Sequence, residues 1–301
     1  MTHRTQDRGR EKLDERADGC GKDEPVSEAC AVSESCTAPQ ACTMLEACVV
    51  LENLMLAPTI GKLTLQAPQI AQAVLPGQFV HLRLPSQPEH VLRRPLGVYR
   101  REAKRGEIEL VYQVVGAGTR HMPEMKPGAV TDIIGPVGRG WTLDKNLRTA
   151  LLVAGGVGAV PLYLLAAHLA AYADVQMVMG AQSAGLLALR KDFEDLLGAE
   201  RLHICTDDGS ACFHGFTTDI TSTLMAATRF DYIATCGPHA MQRVVARLAA
   251  EAKIPCEVSL EERMACGMGA CLSCVVDTVF GKKRACVDGP VFKADEVIWD
   301  A

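Results

Sequence analysis

The 301 residues lack several features by which common protein classes are assigned. The formal net charge is -5, so there is no surplus of Lys and Arg for binding the phosphates of nucleic acids. No apolar run reaches the roughly 18 to 20 residues that span a bilayer. The longest candidate, residues 151–173, is interrupted by three glycines and a proline. The chain does not open on a basic segment followed by an apolar one, as a secretory signal does. We therefore expect a cytoplasmic protein that binds neither nucleic acid nor membranes.

Residues 1–43 contain no aromatic residue and few large aliphatic ones. Such a segment cannot bury enough apolar surface to offset the entropy of ordering, so it is predicted to be a disordered tail. Cysteines recur at intervals of six, at Cys30, Cys36, Cys42 and Cys48. A metal-binding tract is one explanation, although the closely spaced ligand pairs of zinc sites are missing. A variable extension is the other.

The remaining sequence predicts a multi-domain β plus α/β protein. Residues 44–143 contain short apolar runs separated by Pro and Gly, which is typical of an antiparallel β-barrel. In residues 144–254 strand and helix patterns alternate, which predicts a parallel sheet with crossover helices. Residues 255–301 form a short segment rich in Cys and Gly, which a metal site would stabilise as a third domain. The predicted helices span 160–172, 186–198, 218–228 and 239–252.

Thirteen cysteines are many for a chain of this length. In a reducing compartment they are metal ligands or free thiols rather than disulfides. The last four are Cys266, Cys271, Cys274 and Cys286. Their C-x4-C-x2-C-x11-C spacing begins like that of plant-type 2Fe–2S proteins. Gly267 and Gly269 would let the loop backbone wrap closely around a cluster. Zinc is the alternative, but it usually takes paired C-x2-C units and only one such pair is present.

Three loops predict a dinucleotide site at one edge of the parallel sheet. A strand, a glycine turn and a helix would present a pyrophosphate with free N–H groups at the helix N-terminus. The glycines of this turn are Gly155, Gly156 and Gly158. They do not form the GxGxxG fingerprint, so a plain strand–helix turn is the alternative. Two further loops follow predicted strands, at the edge where open α/β sheets bind ligands. They contain Asp207, Asp208 and Gly209, and Cys236, Gly237 and Pro238. The alternatives are a solvated turn for the aspartates and a buried thiol for Cys236.

Taken in order, a set of motifs resembles the ferredoxin–NADP reductase superfamily. Besides the loops above, they include PGQFVHLRL (76–84), RPLG (94–97), VYQVVGAGT (111–119) and GPVGRGW (135–141). With the C-terminal cysteines, the chain more narrowly resembles the electron-transfer subunits of NAD-dependent dihydroorotate dehydrogenases. The resemblance covers residues 44 to 301.

This resemblance implies a FAD site on the barrel. Arg94 would neutralise the pyrophosphate, and the backbone of Pro95, Leu96 and Gly97 would lie along the isoalloxazine ring. Gly97 stands where the family usually has Ser, so a hydroxyl is missing near the flavin. The alternative for Arg93 and Arg94 is an exposed basic pair. The resemblance places five further residues at the cofactor: Val111, Tyr112 and Gln113 beside its adenosine or ribityl part, and Gly118 and Thr119 at its phosphates.

The resemblance also implies a function. A partner subunit, a TIM barrel holding FMN, would oxidise dihydroorotate to orotate on the path to UMP. Electrons would pass from FMN through the 2Fe–2S cluster and FAD to NAD⁺, in a heterotetramer of two plus two subunits. This chain would then carry no catalytic residue. NAD is expected rather than NADP, because Ala181–Ser183 offers no cation for a 2′-phosphate.

Two rival functions remain open. Related FAD/2Fe–2S subunits serve NAD(P)H:ferredoxin oxidoreductases, sulfide dehydrogenases and hydrogenase-linked reductases. A non-catalytic iron–sulfur regulator or scaffold without flavin is the rival from another class, and Gly97 and the N-terminal tail are what favour it.

Overall fold

The computed structural model describes residues 43–84 and 91–299. The predicted tail lies outside these residues except for Thr43, as do the cysteines before Cys48. Cys48 itself is 2% exposed in the barrel core, and burial raises the pKa of its thiol to about 12. It is therefore a core residue rather than a ligand in a metal-binding tract. In the described ranges no helix is long and apolar enough to cross a membrane.

The first part of the chain is a closed antiparallel barrel with strand order β1-β2-β5-β4-β3-β6. Alternating side chains of these strands, including Leu63, Leu65 and Ile108, are fully buried inside it. This alternation is what directs one face of each strand inwards. The strands are β1 Met44–Ala57, β2 Ile60–Gln66, β3 Phe79–Leu82, β4 Arg94–Glu102, β5 Glu107–Gln113 and β6 Val130–Val137, and helix α1 spans Pro68–Ala73. The predicted barrel is confirmed.

The second part is a seven-stranded sheet of order β10-β9-β8-β7-β11-β12-β15, parallel except for the last pair. We call it the nucleotide sheet. Its strands are β7 Thr149–Gly155, β8 Asp174–Ala181, β9 Leu202–Thr206, β10 Phe213–His214, β11 Tyr232–Cys236, β12 Cys256–Ser259 and β15 Val291–Lys293. The crossover helices are α2 Val160–Leu169, α3 Arg190–Leu197, α4 Thr217–Ala227 and α5 His239–Ala252. The predicted α/β architecture is confirmed.

The cysteine-rich part is built into the nucleotide sheet. Strands β12 and β15 pair antiparallel at its edge, and residues 260–290 leave and return between them. We call residues 260–290 the cluster segment. It contains the hairpin of β13 (Val275–Thr278) and β14 (Gly281–Arg284). A division at residue 255 therefore falls immediately before a strand of the nucleotide sheet.

A buried carboxylate fixes the connection between the barrel and the nucleotide sheet. Glu257 of β12 is 5% exposed. It accepts hydrogen bonds from the Thr142 backbone N–H (2.9 Å) and hydroxyl (2.7 Å), and from the Tyr232 hydroxyl (2.5 Å). Three donors compensate the desolvation of this carboxylate. The segment that leaves the barrel is thereby held against β11 and β12.

Candidate functional site

Arg93 and Arg94, at the start of β4, make different contacts. The Arg93 guanidinium contacts the Asp132 carboxylate and donates to the Asp132 carbonyl oxygen (3.1 Å), which ties β4 to β6. Arg94 instead lies against Gly118, where an added Cβ would overlap its guanidinium. The structure therefore brings together Arg94 and the turn that begins at Gly118, as the predicted phosphate site requires.

The other predicted flavin residues are placed unequally. The Tyr112 ring is 1% exposed in the barrel core, and its hydroxyl donates to Asn53 Oδ1 (2.9 Å). Val111 is also buried, whereas Gln113 lines the large cavity described below. The Thr119 hydroxyl oxygen accepts the N–H of Val115 (2.9 Å), so it orders its own turn. Of the three predicted residues on β5, Gln113 is thus the one that lines the cavity.

A cavity of about 660 Å³ opens where β7, β8 and β11 end. This volume is in the usual range for small-molecule sites. Six predicted nucleotide residues line it: Gly155, Gly156, Gly158, Asp207, Gly237 and Pro238. A Cβ at Gly158 would overlap the backbone carbonyl of Cys236, so the turn can pack there only as glycine.

Three predicted nucleotide residues do not line the cavity. The Cys236 side chain is fully buried beneath it. Asp208 accepts the Ser210 N–H (2.9 Å) and hydroxyl (2.5 Å), and these bonds lower the pKa of its carboxyl. Gly209 has φ +71° and closes the same turn. Asp208 and Gly209 therefore shape the loop that presents Asp207.

Sequence reasoning missed several residues that line the cavity. They come from the barrel, from the segment around α4, and from the cluster segment: Ile60, Phe216, Thr217, Thr218 and Glu261. Glu261 is the first residue of the segment EERMACGMGACLSC (261–274), whereas the other four lie in no recognisable motif. The cavity is thus bounded by all three parts of the fold.

The four predicted ligands approach one another as two pairs. The Cys266 sulfur accepts the N–H groups of Met268 and Cys271, each at 3.4 Å. These bonds, from Met268 first, lower the pKa of the Cys266 thiol to about 6. Cys274 and Cys286 are each 2% exposed in a common apolar core. Burial, followed by a hydrogen bond with Cys274, raises the pKa of the Cys286 thiol to about 12.

The donor set fits a two-iron cluster. Within residues 43–84 and 91–299, no group of three or more His, Cys, Asp or Glu side chains is arranged to hold a metal ion. Two pairs of thiols match the two thiolates that each iron of a 2Fe–2S cluster takes. Gly267 and Gly269 have φ values of +69° and +80°, which glycine adopts without strain. Arg284 donates to the Gly269 carbonyl (3.4 Å) and to Asp288 (3.1 Å), which holds the loop from outside.

Two family models match the chain. The model for an oxidoreductase FAD-binding domain matches residues 48–141. The model for the iron–sulfur cluster binding domain of dihydroorotate dehydrogenase B matches residues 261–298. These ranges correspond to the barrel and to the cluster segment with the strand that follows it. The predictions of FAD and a 2Fe–2S cluster are confirmed at this level.

Named relatives match over most of their length. The dihydroorotate dehydrogenase B (NAD(+)) electron transfer subunit of Desulforamulus reducens is 37% identical, over 82% of this chain and 95% of its own. That of Listeria monocytogenes serotype 4a is 39% identical, over 74% and 87%. Among solved structures, an NADH-dependent reduced ferredoxin-NADP oxidoreductase aligns with a TM-score of 0.77 at 31% identity, over 84% of this chain and 90% of that one.

More distant structures show the fold alone. The ferredoxin reductase of carbazole 1,9a-dioxygenase aligns with a TM-score of 0.59 at 18% identity. The identity with two of the named relatives extends over 95% and 94% of their own length. The chain therefore belongs to the family of dihydroorotate dehydrogenase B (NAD(+)) electron transfer subunits.

Proposed function

We propose that this chain carries electrons between a catalytic partner subunit and NAD⁺, through a 2Fe–2S cluster and FAD, in the step of pyrimidine synthesis that forms orotate. The observation that carries the proposal is the central place of the barrel. Ile60 and Gln113 of the barrel line the same cavity as the glycine turn of the nucleotide sheet. On another side, His81 of the barrel contacts Gly267 of the cluster segment. A flavin on the barrel would then adjoin both other sites.

The protein's own residues bind and orient in this scheme. Bound FAD supplies the exchange between two-electron hydride chemistry and the single electrons of the cluster. Arg94 and the turn at Gly118 would hold its phosphates, and the backbone of residues 95–97 its ring. Gly155, Gly156 and Gly158 would hold the dinucleotide pyrophosphate. No acid–base group on this chain is required.

Family membership implies a catalytic partner subunit. We propose that the partner is an FMN-binding TIM barrel and that two copies of each subunit assemble. Met268 and Leu272 beside the cluster cysteines are 64% and 63% exposed, which leaves apolar surface for such a contact. Free thiols as ligands suit a reducing compartment, so we place the complex in the cytoplasm.

We infer NAD rather than NADP as the nicotinamide substrate. The cavity is lined by Ala181 and Gln182 at the end of β8, and no Lys or Arg is among the described lining residues. Arg190, in the helix that follows, is paired with Glu194 (2.7 Å). Stopped-flow reduction of the flavin should be faster with NADH than with NADPH, and the reverse order would refute this inference.

The first experiment is dihydroorotate-dependent reduction of NAD⁺ by the complex, purified anaerobically from its own host. NADH formation that disappears when the partner is removed would support the proposal. If NADH reduces the flavin and the cluster but dihydroorotate has no effect, the relay stands and the partner is a different one.

The 31% identity with an NADH-dependent reduced ferredoxin-NADP oxidoreductase favours a second candidate function. The same preparation would then exchange electrons with reduced ferredoxin rather than with dihydroorotate. The dihydroorotate proposal is favoured by the higher identity of its relatives, 37% and 39% against 31%. Assaying both donors side by side decides between the two functions.

A further inference from the structure

His81 is a buried histidine that lies beside both the candidate flavin strand and the cluster segment. It lies on β3 opposite Pro95 of the candidate flavin segment, and its side chain is almost fully enclosed. Neither ring nitrogen has a hydrogen-bond partner among the described residues. A neutral imidazole carries one N–H, and a buried donor without an acceptor costs free energy. The site therefore calls for an acceptor that the described residues do not provide.

The surroundings of His81 indicate what kind of acceptor fits. Gly267 of the cluster segment packs on the imidazole, and a Cβ there would lie 2.6 Å from Cδ2 and 2.8 Å from Cε1. Cys266, a predicted ligand, immediately precedes Gly267 in the sequence. Further neighbours include the Phe79 ring (centroids 5.5 Å apart) and the Arg93 guanidinium, which donates to the His81 carbonyl (3.4 Å).

Those neighbours keep the ring neutral. Burial, and then the positive charge of Arg93, lowers the pKa of His81 to about 4. Close to neutral pH the imidazole is therefore a hydrogen-bond donor without charge. A donor and a nearby guanidinium together favour an electron-rich, negatively charged acceptor, and a thiolate-ligated iron–sulfur cluster is such a group.

We propose that His81 is a positioning residue for the cluster: its N–H donates to a sulfur of the cluster site beside Cys266 and joins that site to the flavin-binding strand. Such a bond would hold the cluster segment at a fixed spacing from β4. It would also stabilise the extra negative charge of the reduced cluster, because hydrogen bonds to sulfur raise the reduction potential. The proposal rests on the proposed function only in requiring that the cluster is bound.

The test is an EPR-monitored redox titration of the complex as purified. Replacing His81 by Phe keeps an aromatic ring but removes the donor. We expect the equilibrium constant for reduction of the cluster to fall about tenfold, which is about 59 mV for one electron. His81→Gln, which keeps an N–H, should restore part of the shift. The matched control is His168→Phe, which removes another imidazole with an unpartnered nitrogen, on α2, and should leave the cluster potential unchanged.

Unchanged cluster potential in His81→Phe, with the EPR signal intact, would overturn the proposal and leave His81 a packing residue. A measurement on the unaltered protein covers the case in which the variants do not assemble. With ¹⁵N-labelled histidine, pulsed EPR of the reduced cluster should show a weakly coupled histidine nitrogen, and its absence would also overturn the proposal. Neither measurement uses dihydroorotate, so failure here is distinct from failure of the proposed function.

Discussion

The barrel shares an apolar core with each of its two neighbours but differs in the other contacts that it makes with them. Toward the nucleotide sheet, Tyr99 and Arg100 of β4 face Asp192 of α3 and Tyr163 of α2. The Tyr99 hydroxyl donates to Asp192 (2.7 Å), Arg100 pairs with Asp192 (2.9 Å), and its guanidinium lies 4.4 Å from the Tyr163 ring centroid. We call these four residues the polar latch. A shift of strand register between Val98 and Arg100 allows successive side chains of β4 to turn toward it.

Toward the cluster segment, the contacts are made by backbone atoms and by glycines, whose lack of a side chain allows close packing. Gly267 packs on the His81 ring, and a Cβ at Gly138 would lie 2.5 Å from the Gly289 carbonyl oxygen. The Arg139 N–H donates to that same carbonyl, and residues 139 and 290 form an isolated bridge. Phe79 and Val137 of the barrel share an apolar core with Cys274 and Cys286.

These two kinds of contact meet different structural requirements. A polar latch depends on charge and tolerates small changes of spacing, as suits a boundary across which a dinucleotide must enter and leave. Glycine-mediated packing tolerates almost no added volume, as suits a boundary across which single electrons pass at a fixed distance. The predictions below break one boundary at a time, beginning with the largest expected effect.

Gly267→Ala should break the boundary with the cluster segment. A Cβ there overlaps the His81 ring, and the positive φ strains a non-glycine residue. Together these effects should destabilise the segment by about 2–5 kcal/mol, and the iron and sulfide content per chain should fall. The control is Gly281→Ala, because Gly281 has φ +92° but no atom within 4 Å of an added Cβ. Equal losses in the two variants would show that close packing on His81 is not what matters.

Asp192→Asn should weaken the polar latch. It removes the ion pair with Arg100 and weakens the bond from Tyr99, and since both charged side chains are 32% exposed we expect a loss of only about 1–2 kcal/mol. Denaturant titration should show a lower free energy of unfolding with less dependence on salt. Asp195→Asn, on the same helix but in an ion pair at the surface, should cost less than about 0.5 kcal/mol. Equal costs would argue against the latch.

Tyr99→Phe should remove about 0.5–1.5 kcal/mol of stability at neutral pH, the net contribution of one hydrogen bond. Burial, and then the bond to Asp192, raises the pKa of the Tyr99 phenol. Its stabilising contribution is therefore fully present below about pH 10, its unfolded pKa, and declines as the pH rises further. The gap in unfolding free energy between the two proteins should narrow in alkali. A gap that stays constant above about pH 10 would contradict this assignment.

Gly97→Ser tests the flavin strand that lies between the two boundaries. A Cβ there meets only Val160 Cγ1, at 3.4 Å, so stability should change by less than about 0.5 kcal/mol. If the flavin lies along residues 95–97, the new hydroxyl adds a donor near its ring. Reduction by NADH in stopped flow should then accelerate by up to about tenfold, the effect of one hydrogen bond. Gly97→Ala is the control, and an equal change in both variants would assign the effect to volume.

The sequence alone predicts the order of the parts and the cluster ligands, because these depend on local patterns. The spacing of Cys266, Cys271 and Cys274 needs no knowledge of the fold. Alternation along β5 also suffices to put Tyr112 on the inward face with Leu110.

Other features depend on contacts between distant residues and could not be predicted. The helix predicted over 186–198 begins only at Arg190. Leu187 and Leu189 before it are buried anchors outside the helix. Strands β12 and β15 have four and three residues, too few for a pattern to show. The contact of His81 with Gly267 joins parts of the chain 186 positions apart.

The return of the chain through β15 has a consequence for biosynthesis. The last strand of the nucleotide sheet is encoded after Cys286, the fourth of the predicted cluster ligands. All four cluster ligands are therefore synthesised before β15 can pair with β12 and complete the nucleotide sheet. Translation order alone ensures that a nascent chain whose sheet is complete also carries a full set of thiols for the iron–sulfur assembly machinery.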